Sequence, residues 1–133
     1  MAVASTPQQS DTARDKVVEA FVAAWNTTDE AERRRLLEQC WADDGAFIHS
    51  SGLFEGREVV LNTIARMSGT WPVGTQVRIS RVEEHNGWLY YAWEILNRDG
   101  SLFAPGRHVA ERAADGRLQK LINFEGPAPE VGG

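Results

Sequence analysis

Three pairs, Asn86-Gly87, Asp99-Gly100 and Asp115-Gly116, divide the C-terminal half of this chain into strand-length runs. Asn-Gly and Asp-Gly are the pairs that best tolerate the positive φ angles of a tight hairpin turn, and they mark one when alternating apolar runs flank them. The flanking runs here are Gln76–Glu84, Trp88–Asn97, Leu102–Ala113 and Arg117–Phe124, and Gly126-Pro127 ends the last. The third can bend at Pro105-Gly106. This pattern predicts a four-stranded antiparallel meander, which needs something to cover one of its faces.

The N-terminal half supplies the cover. Ser10 or Asp11 can cap a helix running to Asn26, with Val17, Val18, Phe21, Val22 and Trp25 as its apolar stripe. Asn26-Thr27-Thr28-Asp29 breaks it and caps a second helix, Glu30 to about Trp41, which buries Leu36, Leu37, Cys40 and Trp41. Arg33, Arg34 and Arg35 are expected to face water or acids. Asp43-Asp44-Gly45 then leads into a short strand, Ala46–Ser50, with Phe47 and His49 on one face and Ile48 on the other. Ser51-Gly52 turns the chain. A third helix follows from Arg57 to about Met67, and Ser68–Gly74 is a loop. The expected fold class is α+β: three N-terminal helices packed on a strongly curved antiparallel sheet, forming a cone with an internal cavity. Residues 1–10 read as a disordered tail, 11–127 as a single domain and 128–133 as a loose tail.

Several function classes are unexpected. The net charge is −5 and the basic residues are scattered, which argues against a nucleic-acid partner. No apolar run approaches the roughly 20 residues of a membrane span, and the N-terminus lacks a secretory pattern. The single cysteine, Cys40, falls on an apolar helix face and reads as buried filler in a reducing, cytoplasmic setting. There is no zinc spacing, no glycine-rich phosphate loop and no G-x-S-x-G, so no metal or organic cofactor is expected.

Three segments in order, VVEAFVAAWNTTD (17–29), ADDGAFIHSSGLFEGREVV (42–60) and HVAERAADGRLQKLINFEGP (108–127), resemble the nuclear-transport-factor-2-like superfamily. Within it they are most similar to the SnoaL-like polyketide cyclases and ketosteroid isomerases, over about residues 12–127. The resemblance implies a small-molecule pocket between helices and sheet. It puts His49 at the isomerases' catalytic aspartate and His108 at their second, protonated carboxyl. The tyrosine of the isomerase oxyanion hole falls near Phe21, which has no hydroxyl, so all three positions depart from the isomerase. Scytalone dehydratase, in the same superfamily, works with pocket histidines, which keeps histidine-based chemistry compatible with the fold.

On this reading His49 is the candidate base, because an imidazole exchanges protons near neutrality. His108 is the candidate acid or oxyanion donor, and Asn123 can orient a carbonyl without titrating. His108, Ala110 and Arg112 would face inward, with Leu121 and Asn123 on the last strand. The run Trp88–Asn97 splits into Tyr90, Ala92, Glu94, Leu96 and the more apolar Leu89, Tyr91, Trp93, Ile95. The family register favours the first set as pocket-facing and leaves the second on an outer face where a homodimer would form. Phe21, Trp25, Trp41, Phe47, Tyr90, Glu94 and Leu121 are then the expected substrate-binding residues. The reaction class this implies is acid–base proton transfer next to a carbonyl, giving isomerisation, cyclisation or dehydration of a hydrophobic, possibly polycyclic compound. The alternative is a non-catalytic domain that binds a hydrophobic ligand or a protein partner.

Overall fold

A computed structural model of the chain describes residues 7–132. It contains three helices, α1 (Pro7–Asn26), α2 (Glu30–Cys40) and α3 (Arg57–Ser68), and seven strands. The strands are β1 (Trp41–His49), β2 (Gly52–Glu55), β3 (Gln76–Ile79), β4 (Glu83–His85), β5 (Trp88–Leu96), β6 (Leu102–Arg112) and β7 (Leu118–Glu125). The expected disordered tail falls on residues 1–6, outside the described residues, and on the first turn of α1. Asp29 caps α2, its carboxylate accepting from the Ala31 N–H.

The α+β architecture is as expected, but the sheet is mixed rather than antiparallel throughout. Its order is β2-β1-β7-β6-β5-β3, with β4 also on β5. β1 runs parallel to β7, placing Phe47 beside Leu121 and Ile48 beside Ile122. That pairing carries the β1–β2 hairpin onto the meander. The first meander run is broken into β3 and β4 where Ser80 leaves the ladder; its hydroxyl takes the Ala92 N–H. The sheet curls around the helices without closing. Val18, Phe21, Leu37, Cys40, Trp41, Val60 and Ile64 meet Phe47, Leu89, Ala110, Leu118 and Leu121 in one core. Asn26 ties α1 to β3 through both its amide atoms: Nδ2 donates to the Val77 carbonyl and Oδ1 accepts the Val77 N–H.

One charged residue departs from expectation. Arg33 is only 5% exposed. Its guanidinium donates to the Ala24 carbonyl at 2.9 Å and to the Thr27 carbonyl. It caps the C-terminal carbonyls of α1, which have no helical partner of their own. Arg34 and Arg35 do pair with acids, Glu58 and Glu32 respectively. Cys40 is buried as expected, and burial pushes its thiol up to about 12.

Candidate active site

Antiparallel pairing decides which side chains share the concave face, because directly opposed residues point the same way. His108 on β6 lies opposite Tyr91 on β5 and opposite Asn123 on β7. Two residues on, Gly106 lies opposite Trp93 and Glu125. The concave face of β5 therefore carries Leu89, Tyr91, Trp93 and Ile95, which are buried or half-buried. This reverses the expected parity. Tyr90 is 40% exposed on the outer face and Glu94 pairs there with Arg78 at 2.8 Å. Neither is a pocket residue: the apolar set is the one that folding removes from water.

A cavity of about 650 Å³ opens between this face and the helices. His49, His108 and Asn123, which lie far apart in sequence, all line it. So do Trp25 and Phe47. Phe21, Trp41 and Leu121 do not line it; they are fully buried one layer deeper. Trp41 stacks on Phe21 with ring centroids 5.1 Å apart, and its indole N–H donates to the Gly45 carbonyl at 3.0 Å. These three hold the walls from behind. The cavity wall adds residues that sequence reading missed: Ser51, Arg66, Trp71, Trp93, Phe103 and Glu125. Trp71, in the loop after α3, stacks on Trp25 at 5.4 Å and 14°. Trp93 and Glu125 had a signal, since each falls on the period-two face of a site residue. Trp71 had none, because a loop residue has no periodicity.

The deep end is neutral and hydrogen-bonded. His108 is 8% exposed, and its Nδ1 lies 2.8 Å from the Tyr91 hydroxyl. Burial pulls the His108 imidazole down to about 3, helped by nearby His49 and opposed by Asn123. Burial likewise holds the Tyr91 phenol well above its usual range. The Tyr91 hydroxyl is itself buried, and its hydrogen needs an acceptor. Nδ1, at 2.8 Å, can accept it, an arrangement that puts the proton of a neutral His108 on Nε2. Asn123 is oriented in turn: the Trp93 indole N–H, which can only donate, lies 3.0 Å from Asn123 Oδ1. Its amide nitrogen is left to donate elsewhere.

The rim is polar. His49 Nδ1 takes the Ser51 backbone N–H at 3.1 Å and lies 2.9 Å from the Ser51 hydroxyl. His49 Nε2 faces Glu125 Oε2 at 3.7 Å, and Ser50 donates to Glu125 Oε1 at 3.3 Å. Among the described residues no three or more His, Cys, Asp or Glu side chains gather as a metal site, and no helix is long and apolar enough to cross a membrane.

No family model and no curated protein sequence matches the chain. Solved structures do match its fold. A proposed isomerase of the SnoaL-like family from Agrobacterium tumefaciens superposes with a TM-score of 0.79 at 23% identity, over 87% of this chain and 99% of that one. An NTF2-like protein of unknown function from Exiguobacterium gives 0.64 at 21% identity, over 87% and 99%. Another from Cytophaga hutchinsonii gives 0.63 at 16%, over 87% and 92%.

Proposed function

We propose that this NTF2-like chain is a small-molecule enzyme that moves a proton next to a carbonyl group in a flat, largely apolar compound, without a cofactor. The observation that carries the reading is the pair of neutral polar groups at the deep end, His108 against the buried Tyr91 hydroxyl and Asn123, whose Oδ1 accepts from the half-buried Trp93 indole and whose amide nitrogen is left to donate. Donors fixed in advance stabilise the oxygen of an enolate as charge develops on it, and removing one such donor costs about 10²–10³ in rate. Trp25, Phe47, Trp93 and Phe103 offer flat walls, and the polar rim of His49 and Glu125 is where the proton would be handled. The likeness to a proposed SnoaL-like isomerase supports the same class.

The test is a thermal-shift screen against cyclic enones, aromatic polyketide fragments, steroids and small lactones, followed by turnover assays on the hits. A ligand at 100 times its Kd adds about 2.7 kcal/mol, a shift of several degrees. Asn123→Leu is expected to lower kcat/KM for a converted hit about 100-fold. A turnover unchanged by that variant would discard the oxyanion role. A second reading, a binder without chemistry, is favoured by one observation: both ring nitrogens of His49 already have partners. It predicts hits that bind and are never converted.

The same proposal includes a homodimer through the outer sheet face, on other residues than the sequence suggested. Tyr90, Val109, Ile122, Ile48 and Leu53 lie opposite one another across five strands as an apolar row. On β6, Arg107 and Glu111 flank Val109 at equal spacing on that face. A twofold axis along the row brings Arg107 of one copy over Glu111 of the other. Glu111→Arg is expected to give monomers in sedimentation at micromolar concentration, and Arg107→Glu added to it to restore the dimer. A wild-type monomer at that concentration rules the dimer out.

A further inference from the structure

A general base needs a lone pair free to face the substrate, and the geometry at the rim denies one to His49. The Ser51 backbone N–H, 3.1 Å away, can only donate, so His49 Nδ1 must be bare. The proton of the neutral ring is then on Nε2. The opposite tautomer would set two N–H groups against each other. The ring cannot easily turn away, because Ser50-Ser51 is the tight turn of the β1–β2 hairpin, with His49 paired to Gly52. What Nε2 points at is Glu125 Oε2, 3.7 Å off.

Glu125 is the one carboxylate among the lining residues of the cavity. It lies two residues beyond Asn123 on β7, so both point to the concave face, roughly 7 Å apart along the strand. A carbonyl oxygen bound by Asn123 and the hydrogen on the adjacent carbon fit across that interval. Gly106, opposite Glu125, has no side chain to compete for the space; the Trp93 ring covers it instead. Ser50 holds one carboxylate oxygen and His49 faces the other.

We infer that Glu125 is the proton-accepting catalytic residue of this cavity and that His49 is a positioning residue, locked by Ser51 as an Nε2–H donor towards the carboxylate. This rests on the proton-transfer reading above. In the step, the C–H bond next to the carbonyl breaks and its proton passes to the Glu125 carboxylate. The electron pair moves into the enolate, whose oxygen is held by Asn123 and His108. The carboxyl, whose side chain is 62% exposed, trades its proton with solvent and delivers one proton to the original or the conjugated carbon, which regenerates the carboxylate. Nothing else is consumed.

The experiment is NMR-detected exchange of the C1 hydrogens of 2-tetralone, a flat bicyclic ketone, in D2O. It is read as a second-order rate above buffer, so saturation is not required. Glu125→Gln is expected to lower that rate at least 100-fold, with Glu125→Asp recovering part of it. His49→Gln, whose amide can still donate, is expected to stay within about tenfold of wild type, and His49→Leu to fall further. Ring ¹⁵N shifts of His49 should show a bare Nδ1 and a protonated Nε2. Exchange that survives Glu125→Gln while His49→Gln abolishes it, or a His49 ring protonated on Nδ1, would overturn the assignment and leave the proton-transfer reading standing. A wild-type protein with no exchange above buffer would overturn that reading and the role of Glu125 with it.

Discussion

Between pH 6 and pH 4 the wild-type protein is expected to lose about 1.4 kcal/mol of folding stability per pH unit more than a His108→Leu variant does. Buried His108 takes up a proton only at about pH 3, whereas the same imidazole in an unfolded chain does so near 6.5. Across that window the unfolded state binds one proton more, so stability falls as pH falls. The contribution is complete above pH 6.5, declines from there, and is exhausted near pH 3. Other groups titrate in the same range, but they are common to both proteins, so the difference in slope isolates His108. Urea midpoints measured in half-unit steps of pH supply the curve. The variant starts from lower absolute stability, because the buried Tyr91 hydroxyl loses its acceptor, at a cost of about 1–3 kcal/mol. Parallel curves for the two proteins would mean that His108 charges freely in the folded state. It could not then be the neutral Nε2–H donor that the proposed reaction needs.

Gly106→Ala is expected to be the most damaging single methyl in the cavity wall. A Cβ at Gly106 would lie 2.0 Å from Trp93 Cζ2 and 2.3 Å from Cε2. The indole must therefore leave, and overpacking of this kind costs about 1–3 kcal/mol. The loss is also functional, because that indole N–H orients Asn123. The expected outcome is a lower urea midpoint together with at least a tenfold weaker affinity for any cavity ligand. Trp93→Phe separates the two effects, since it removes the indole N–H while leaving a ring over Gly106. It should bind ligand more weakly with a smaller change in midpoint. If Gly106→Ala unfolds and binds like wild type, the Trp93 ring does not lie across β6 in solution.

The register of β5 shows how resemblance and physics can disagree. The runs on either side of Asp99-Gly100 were legible, and so was the split of Trp88–Asn97 into two faces. The family register pointed Tyr90 and Glu94 inward. The hydrophobic content pointed Leu89, Tyr91, Trp93 and Ile95 inward, and burial followed hydrophobic content. With that parity corrected, Tyr91 and Trp93 emerge as the two residues that aim His108 and Asn123. Arg33 is the converse case. Three consecutive arginines on a helix look like a solvated face, yet the first finds the open carbonyls at the end of α1. Nothing local to its own helix announces that contact.

By itself the sequence determined the elements and their order: three capped or stripe-bearing helices, tight X-Gly hairpins, and strands with one apolar face each. These depend on backbone sterics and on periodicity within a few residues, which local sequence specifies. The resemblance, read through that alternation, also put His49, His108 and Asn123 on inward faces. Only the tertiary structure decided that β1 joins the meander in parallel beside β7, which brings His49 to Glu125 at the same cavity as His108 and Asn123. Only it decided that the Tyr91 hydroxyl meets His108 Nδ1, that the Trp93 indole meets Asn123 and that His49 Nε2 faces Glu125. Such contacts join residues up to 76 positions apart. They follow from how layers pack and which polar groups lose water together, and no window of sequence contains that information.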